Sequence, residues 1–366
     1  MATNNYLIPY EAIPPIEIVA DEIKARGISQ KEFAERLGIK PSNLNRMFKT
    51  GAAITIPFAQ KLETALGISA DNWLKMQANY ERDKATMIER DEKEASAVVC
   101  ERSLSGLINF KALYKALGIK ESAFAYTRIE TLKSMMGESP EIFIKEGACV
   151  AFKKSDKANA DEKNCTTWLT LALLAAKADK PEISYSIGVV DEAASEISKS
   201  ANDGSIKEER IKSILNSHGI SYSVVKKLDK VPVDAISTNK FGYPSIIVTH
   251  RYDDMAKLVF DVLHELGHIK MHMDMGKVDS FVSYGDYSVK NILETEANKY
   301  AQDKLIPESV WNNILCGQPK DIRMHSILAY LKDAAEKFHI NYNILSWRYK
   351  YETENYALRG KAQRIS

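Results

Sequence analysis

The feature that most constrains this chain is the pentapeptide His264-Glu265-Leu266-Gly267-His268. Residues four apart on a helix share one face, so His264 and His268 point the same way and two neutral imidazoles can grip one cation. Glu265, one position on, can reach a water on that cation as general base. Leu258, Val259, Val262, Leu263 and Leu266 give the same helix an apolar side to pack. Gly267 leaves room for another backbone to approach. The pattern implies Zn2+ with two histidine ligands, a third protein ligand, and a fourth position for water.

Twenty-six residues past His268 stands Glu294-Thr295-Glu296-Ala297-Asn298, on the next expected helix. Glu294 is favoured as the third ligand. Glu296 is the alternative, but lies about 200° around the helix from Glu294, so the two cannot face one ion. Asn298 shares the face of Glu294 and is expected to hydrogen-bond a ligand histidine. His272 lies on the face of His264 and His268, but about 12 Å along the axis from His264. One metal cannot span that distance, so His272 reads as a structural or substrate-side histidine. Candidates for an oxyanion donor are His250, Tyr284 and Tyr287.

The 366 residues are enough for two or three domains. The net charge of +1 argues against a uniformly basic protein, so charge must be read by segment. Cys100, Cys149, Cys165 and Cys316 are scattered without a C-x-x-C pair. That fits a reduced, cytoplasmic setting. No signal peptide and no apolar run of about 20 residues is seen, so no membrane partner is expected.

Residues 16 to 80 read as five short helices: Ile16–Arg26, Gln30–Leu37 capped by Ser29, Pro41–Phe48, Pro57–Leu66 and Asp71–Tyr80. Residues 81 to 96 carry 10 charges of both signs in 16 positions and read as a solvated helical connector. Residues 104 to 210 are helical by periodicity, with loops at Lys153–Asn164 and Ser198–Gly204 and no chemical motif. After Gly219 the pattern changes. Ile220–Val225, Val233–Ser237 and Ser245–Thr249 are β-branched runs, followed by helices from about Asp253 to Met273 and from about Val289 to Leu305. Strand Ser245–Thr249 is a candidate for pairing with an extended substrate. The expected organisation is an all-α helix-turn-helix domain over 1–80 and a charged connector over 81–103. A helical middle region over 104–210 and an α+β zincin-like domain over 211–366 complete it.

In the segment SQKEFAERLGIKPSNLNRMFKTG, Ala34 is small where two helices cross and Gly38 supplies a turn. Leu44, Met47 and Phe48 recur at helical spacing and should face inward. Ser42, Asn43, Arg46 and Lys49 are then left for a major groove, with Gln30 as a phosphate or base contact. From Lys24 to Lys49 there are seven Lys or Arg against two Glu, a local charge of +5, which calls for an anionic partner.

Two families share these motifs. LNSHGISYSVV, PSIIVTHRY, DVLHELGHIKMH and ETEANKYAQDKLIP, in that order, resemble the ImmA/IrrE-type metallopeptidases. The resemblance implies zinc held by His264, His268 and Glu294, and Glu265 as catalytic base of a zinc metalloendopeptidase. Members of that group typically cleave Xre-type repressors. The N-terminal segment, through ISADNWLKMQANYERD, is similar to HigA-type antitoxins within the Xre-like repressors. That likeness implies a homodimer on a double-stranded DNA operator, and a ribonuclease toxin as possible partner. Together they imply a repressor whose peptidase cleaves itself or a partner repressor. The other reading is a HigA-like antitoxin whose zinc is structural or sensing.

Overall fold

A computed structural model describes residues 10–152, 160–274, 280–283, 292–319, 324–354 and 363–365. The chain divides into two compact units, Met1–Val99 and Cys100–Ser366.

The first unit is built from local signals that agree with one another. Pro15 opens α1 (Pro15–Ala25), where a missing N–H costs nothing. The Ser29 hydroxyl accepts the Glu32 amide at 3.2 Å and starts α2 (Gln30–Arg36). Pro41 opens α3 (Pro41–Thr50), and Gly51 ends it in the left-handed region at φ +62°. With α4 (Ile56–Leu66) these helices enclose a core of Ile16, Val19, Phe33, Ala34, Leu44, Leu62 and Trp73, among others. Leu44 is fully buried, with Met47 and Phe48 packed against that core, as the spacing predicts. The fifth expected helix and the connector are one element, α5 (Ala70–Leu104). Mixed charges do not end a helix when they pair along it, as Lys93 does with Glu89 at 2.7 Å.

The second unit starts with α6 (Phe110–Leu117), α7 (Ala125–Met136), α8 (Pro140–Phe152), α9 (Glu162–Ala178), α10 (Val190–Asn202) and α11 (Glu208–Ser217). The loop expected at Ser198–Gly204 is therefore mostly the last turn of α10. Residues 153–159 of the other expected loop lie outside the described residues. Four short strands follow: β1 (Ser221–Val224), β2 (Ala235–Thr238), β3 (Ser245–Val248) and β4 (Ser280–Ser283), in spatial order β1-β3-β2-β4. β1 runs parallel to β3, and β2 pairs antiparallel with both β3 and β4. β3 thus has a partner on each side and no free edge for a substrate strand, which corrects the expectation placed on Ser245–Thr249.

Alternation along the strands sends side chains to two different cores. Ile236, Ile247 and Val282 face Trp168, Leu169, Ala172 and Ala176 of α9. Ala235, Ile246 and Val248 face the core that contains α12 (Met255–His268), α10 and α11. Helices on both faces explain why β2 and β3 are buried at every position. They also correct the boundary at 210/211, which would cut α9 and α10 from the sheet and helix they cover and would fall inside α11. The helix expected to reach Met273 is α-helical only to His268. From Ile269 to Met273 it widens into a π-helical turn, closed by the Asp274 amide donating to the Ile269 carbonyl at 2.9 Å. The unit ends with α13 (Ile292–Leu305), α14 (Glu308–Cys316), α15 (Met324–Phe338) and α16 (Tyr342–Glu352).

Candidate metal centre and nucleic-acid face

Asp254 caps α12 by accepting the Ala256 amide at 3.0 Å, and the helix then runs almost wholly buried between the sheet and α13. The close approach of α12 and α13 depends on Gly267. A Cβ there would lie 3.1 Å from the Tyr300 ring and 3.2 and 3.3 Å from the Cα and carbonyl oxygen of Ala297. Two small residues face each other where the helices touch, and Glu294, one turn before Ala297, is carried up to the histidines.

His264 Nε2 and His268 Nε2 lie 2.9 Å apart. Glu294 Oε2 lies 3.2 Å from the first and 3.6 Å from the second. These three atoms form the one His/Cys/Asp/Glu group among the described residues with metal-ligand spacing. Ligands about 2.0–2.1 Å from one tetrahedral ion stand roughly 3.3 Å apart. The triangle therefore has the size a zinc ion requires, and its donors are of the right kind. Both histidines are buried. Burial pushes His268 down to about 3, against the opposing pull of Glu294, so its imidazole is neutral near pH 7. That is the form a ligand must have.

Glu265 is fully enclosed and accepts a hydrogen bond from the Ser237 hydroxyl at 2.5 Å. Alternation explains the partner: Ser237 follows Ile236 on β2, so it points to the α12 side of the sheet. Glu296 does not meet His264 or His268 but His272, at 3.0 Å. His272 in turn meets His268, Nδ1 to Nδ1, at 2.9 Å. Asn298 does not meet the hydrogen-bonding role expected of it: it is buried, and among the described residues its Oδ1 has no hydrogen-bond partner. The contact expected of Asn298 is made to His268 by His272 instead. The signal was present in the third histidine at four-residue spacing and the second carboxylate of Glu-Thr-Glu. His250 is bound to Glu208 on α11 at 3.0 Å rather than to the histidine cluster. Tyr284 and Tyr287 lie outside the described residues.

In the first unit Gln30, Ser42, Asn43, Arg46 and Lys49 are all exposed. Ser42, Asn43, Arg46 and Lys49 lie on α3, whose other side carries Leu44, Met47 and Phe48. Arg26 and Arg36 are tied to Glu22 and Glu32 at 2.5 and 2.6 Å. No carboxylate among the described residues pairs with Arg46 or Lys49, so their charge stands open to an anion.

Residues 19–73 match the helix-turn-helix family HTH_3. The chain belongs to that family through this segment, which is a DNA-binding domain of a transcription regulator. It is 32% identical over 89 residues to virulence-associated protein I of Dichelobacter nodosus, which covers 24% of this chain and 80% of that protein. It is 33% identical over 63 residues to the uncharacterized HTH-type transcriptional regulator YddM of Escherichia coli K12, covering 17% of this chain and 67% of that one. A solved structure of a proposed antidote protein of a plasmid maintenance system from Nostoc punctiforme is 28% identical. It covers 24% of this chain and 94% of that one, with a TM-score of 0.22. No described helix is long and apolar enough to cross a membrane.

Proposed function

We propose that the chain is a DNA-binding repressor whose second unit is a zinc-dependent endopeptidase, which relieves repression by cleaving this chain or a partner repressor. The observation that carries the reading is the convergence of His264, His268 and Glu294 at ligand spacing, with Glu265 next in sequence to His264. The order of motifs from LNSHGISYSVV to ETEANKYAQDKLIP, similar to the ImmA/IrrE group, supports it. Zinc held by those three residues would lower the pKa of a bound water and polarise a peptide carbonyl. Glu265 would take the proton of the attacking water and pass it to the leaving amine. The helix-turn-helix unit, as a cytoplasmic homodimer, would bring that chemistry to an operator in double-stranded DNA.

The test is Glu265→Gln, which keeps the side chain's size and both histidine ligands. Metal content and operator binding are expected at wild-type level, while peptide cleavage falls by roughly 10²–10⁴-fold. De-repression after the inducing stress disappears with it. A promoter reporter, with protein size followed by blotting, reads both. Equal de-repression in the two strains, with no fragment in either, would overturn the peptidase reading.

One observation favours a second reading, a HigA-like antitoxin that neutralises a ribonuclease toxin and uses zinc for structure or sensing. Glu265 is closed in and engaged by Ser237, an arrangement a structural site tolerates and a catalytic one must open. The same Glu265→Gln strain separates the two, because a structural site does not need the base.

A further inference from the structure

His268 has two ring nitrogens, and the proposed site uses only Nε2. Its Nδ1 is 2.9 Å from His272 Nδ1, and His272 Nε2 is 3.0 Å from Glu296 Oε2. Hydrogen-bond rules leave one proton assignment for this chain when both rings are neutral. A carboxylate only accepts, so His272 carries its proton on Nε2 and donates it to Glu296. A neutral His272 then has a bare Nδ1, which must accept. His268 is therefore protonated on Nδ1, and its Nε2 lone pair is turned toward His264 Nε2 and Glu294 Oε2.

From this chain of contacts we infer that His272 and Glu296 are positioning residues that fix the tautomer and ring orientation of His268 for cation binding. The inference rests on the reading that His264, His268 and Glu294 hold the ion. The local fold supplies the means. His272 is fully buried within the π-helical turn, packed where α12 meets α13. π-Helical turns of this kind are frequent at functional sites. Glu296 sits on α13, the helix that also delivers Glu294. One helix thus presents two carboxylates about 200° apart, one to the ion and one to the ring behind its ligand. This accounts for both acids of Glu294-Thr295-Glu296, and for a third histidine too far along the helix to join His264 on one metal.

The experiment uses the full chain and two variants, His272→Phe and Glu296→Ala. His272→Phe fills the buried space without a nitrogen. Glu296→Ala removes a carboxylate whose side chain is 45% exposed, so the fold is not at stake. Zinc affinity, measured by competition with a chromogenic chelator, is expected to fall about 10–100-fold in each variant. The visible spectrum of the Co2+-loaded protein should change in energy or intensity, because the orientation of one ligand is no longer fixed. Melting of the chelator-treated protein should be unchanged in Glu296→Ala, and Glu296→Gln, which can still accept from His272, should recover part of the affinity. If the wild type binds zinc one to one and Glu296→Ala binds it equally well with the same Co2+ spectrum, this inference is overturned and the site reading stands. If the wild type binds no zinc, both fall together.

Discussion

The helix-turn-helix unit and the α12–α13 pair use helices in opposite ways. In the first, the core is closed by Phe33, Ala34, Leu44 and Trp73, and the residues available for function are what the core leaves outside. Gln30, Ser42, Asn43, Arg46 and Lys49 can change without disturbing the packing. In the second, the working atoms are themselves in the interior, and no single helix holds the site. Glu294 comes to His264 and His268 from a segment 26 residues away, where Gly267 and Ala297 let the two helices approach closely. Recognition spread over an exposed face tolerates local variation, whereas convergence in a buried one does not.

The sharpest way to break the comparison is a core cavity confined to one unit. Leu44→Ala should cost about 2–5 kcal/mol and abolish operator binding near body temperature, while zinc affinity stays at wild type. A gel-shift assay and a chelator competition on the same preparation would show it. Loss of zinc affinity in Leu44→Ala would mean that the two units do not keep their functions separate. Gly267→Ala is the converse. The added methyl meets both the Tyr300 ring and the Ala297 backbone, so α13 must give by a few tenths of an ångström. The expected cost is about 1–3 kcal/mol, with weakened zinc binding and unchanged DNA affinity. Unchanged zinc affinity would show that the close approach is not what delivers Glu294.

How much of this was legible in the sequence follows the same division. Ser29, Pro41, Gly38 and Gly51 are local signals with local consequences, and the helices of the first unit lie where those residues put them. The face shared by His264 and His268 was also legible, because helical periodicity alone decides which side chains share a face. Glu294, on another helix, comes beside them through packing. What escaped depends on long-range packing. Nothing in Ser280–Ser283 marks a strand until β2 is beside it, and nothing in Ser245–Val248 says that it lies between β1 and β2. The apolar run Trp168–Ala176 did carry a signal: a helix buried on all sides is sandwiched, which is how α9 comes to cover the sheet. Spacing puts His272 on the face of His268, but which nitrogen meets which is set by packing.

Arg46→Ala sharpens the exposed side of the comparison. It should leave stability unchanged and cost about 1–3 kcal/mol of operator affinity if Arg46 reads a base, with relaxed preference at one position. If Arg46 meets a phosphate instead, affinity falls evenly across sequences and the salt dependence becomes shallower. Binding titrations at several salt concentrations, on operator and scrambled DNA, distinguish the two. Wild-type affinity on both would remove Arg46 from the interface.

The smallest effect expected concerns Asp191, at the start of α10, which accepts from Lys270 Nζ at 2.5 Å, Lys304 Nζ at 2.9 Å and Tyr300 Oη at 3.0 Å. It ties α10 to both the π-helical turn and α13, the two elements that flank the histidines. Burial alone would raise its carboxyl, but the bonds from Lys270, Lys304 and Tyr300 outweigh that and hold it at about 2, below the usual 3.8. The folded state therefore prefers the charged form. Its contribution is complete above about pH 4 and is lost as pH falls toward 2, where the folded chain also takes up the proton. With a side chain 41% exposed, solvent screening keeps the effect modest and salt should reduce it. Denaturant unfolding of chelator-treated wild type and Asp191→Asn, from pH 5 to pH 2, should show a stability difference that narrows as pH falls. A gap between wild type and Asp191→Asn that stays constant with pH would mean that packing, not the charge of Asp191, holds α10 against the histidine helices.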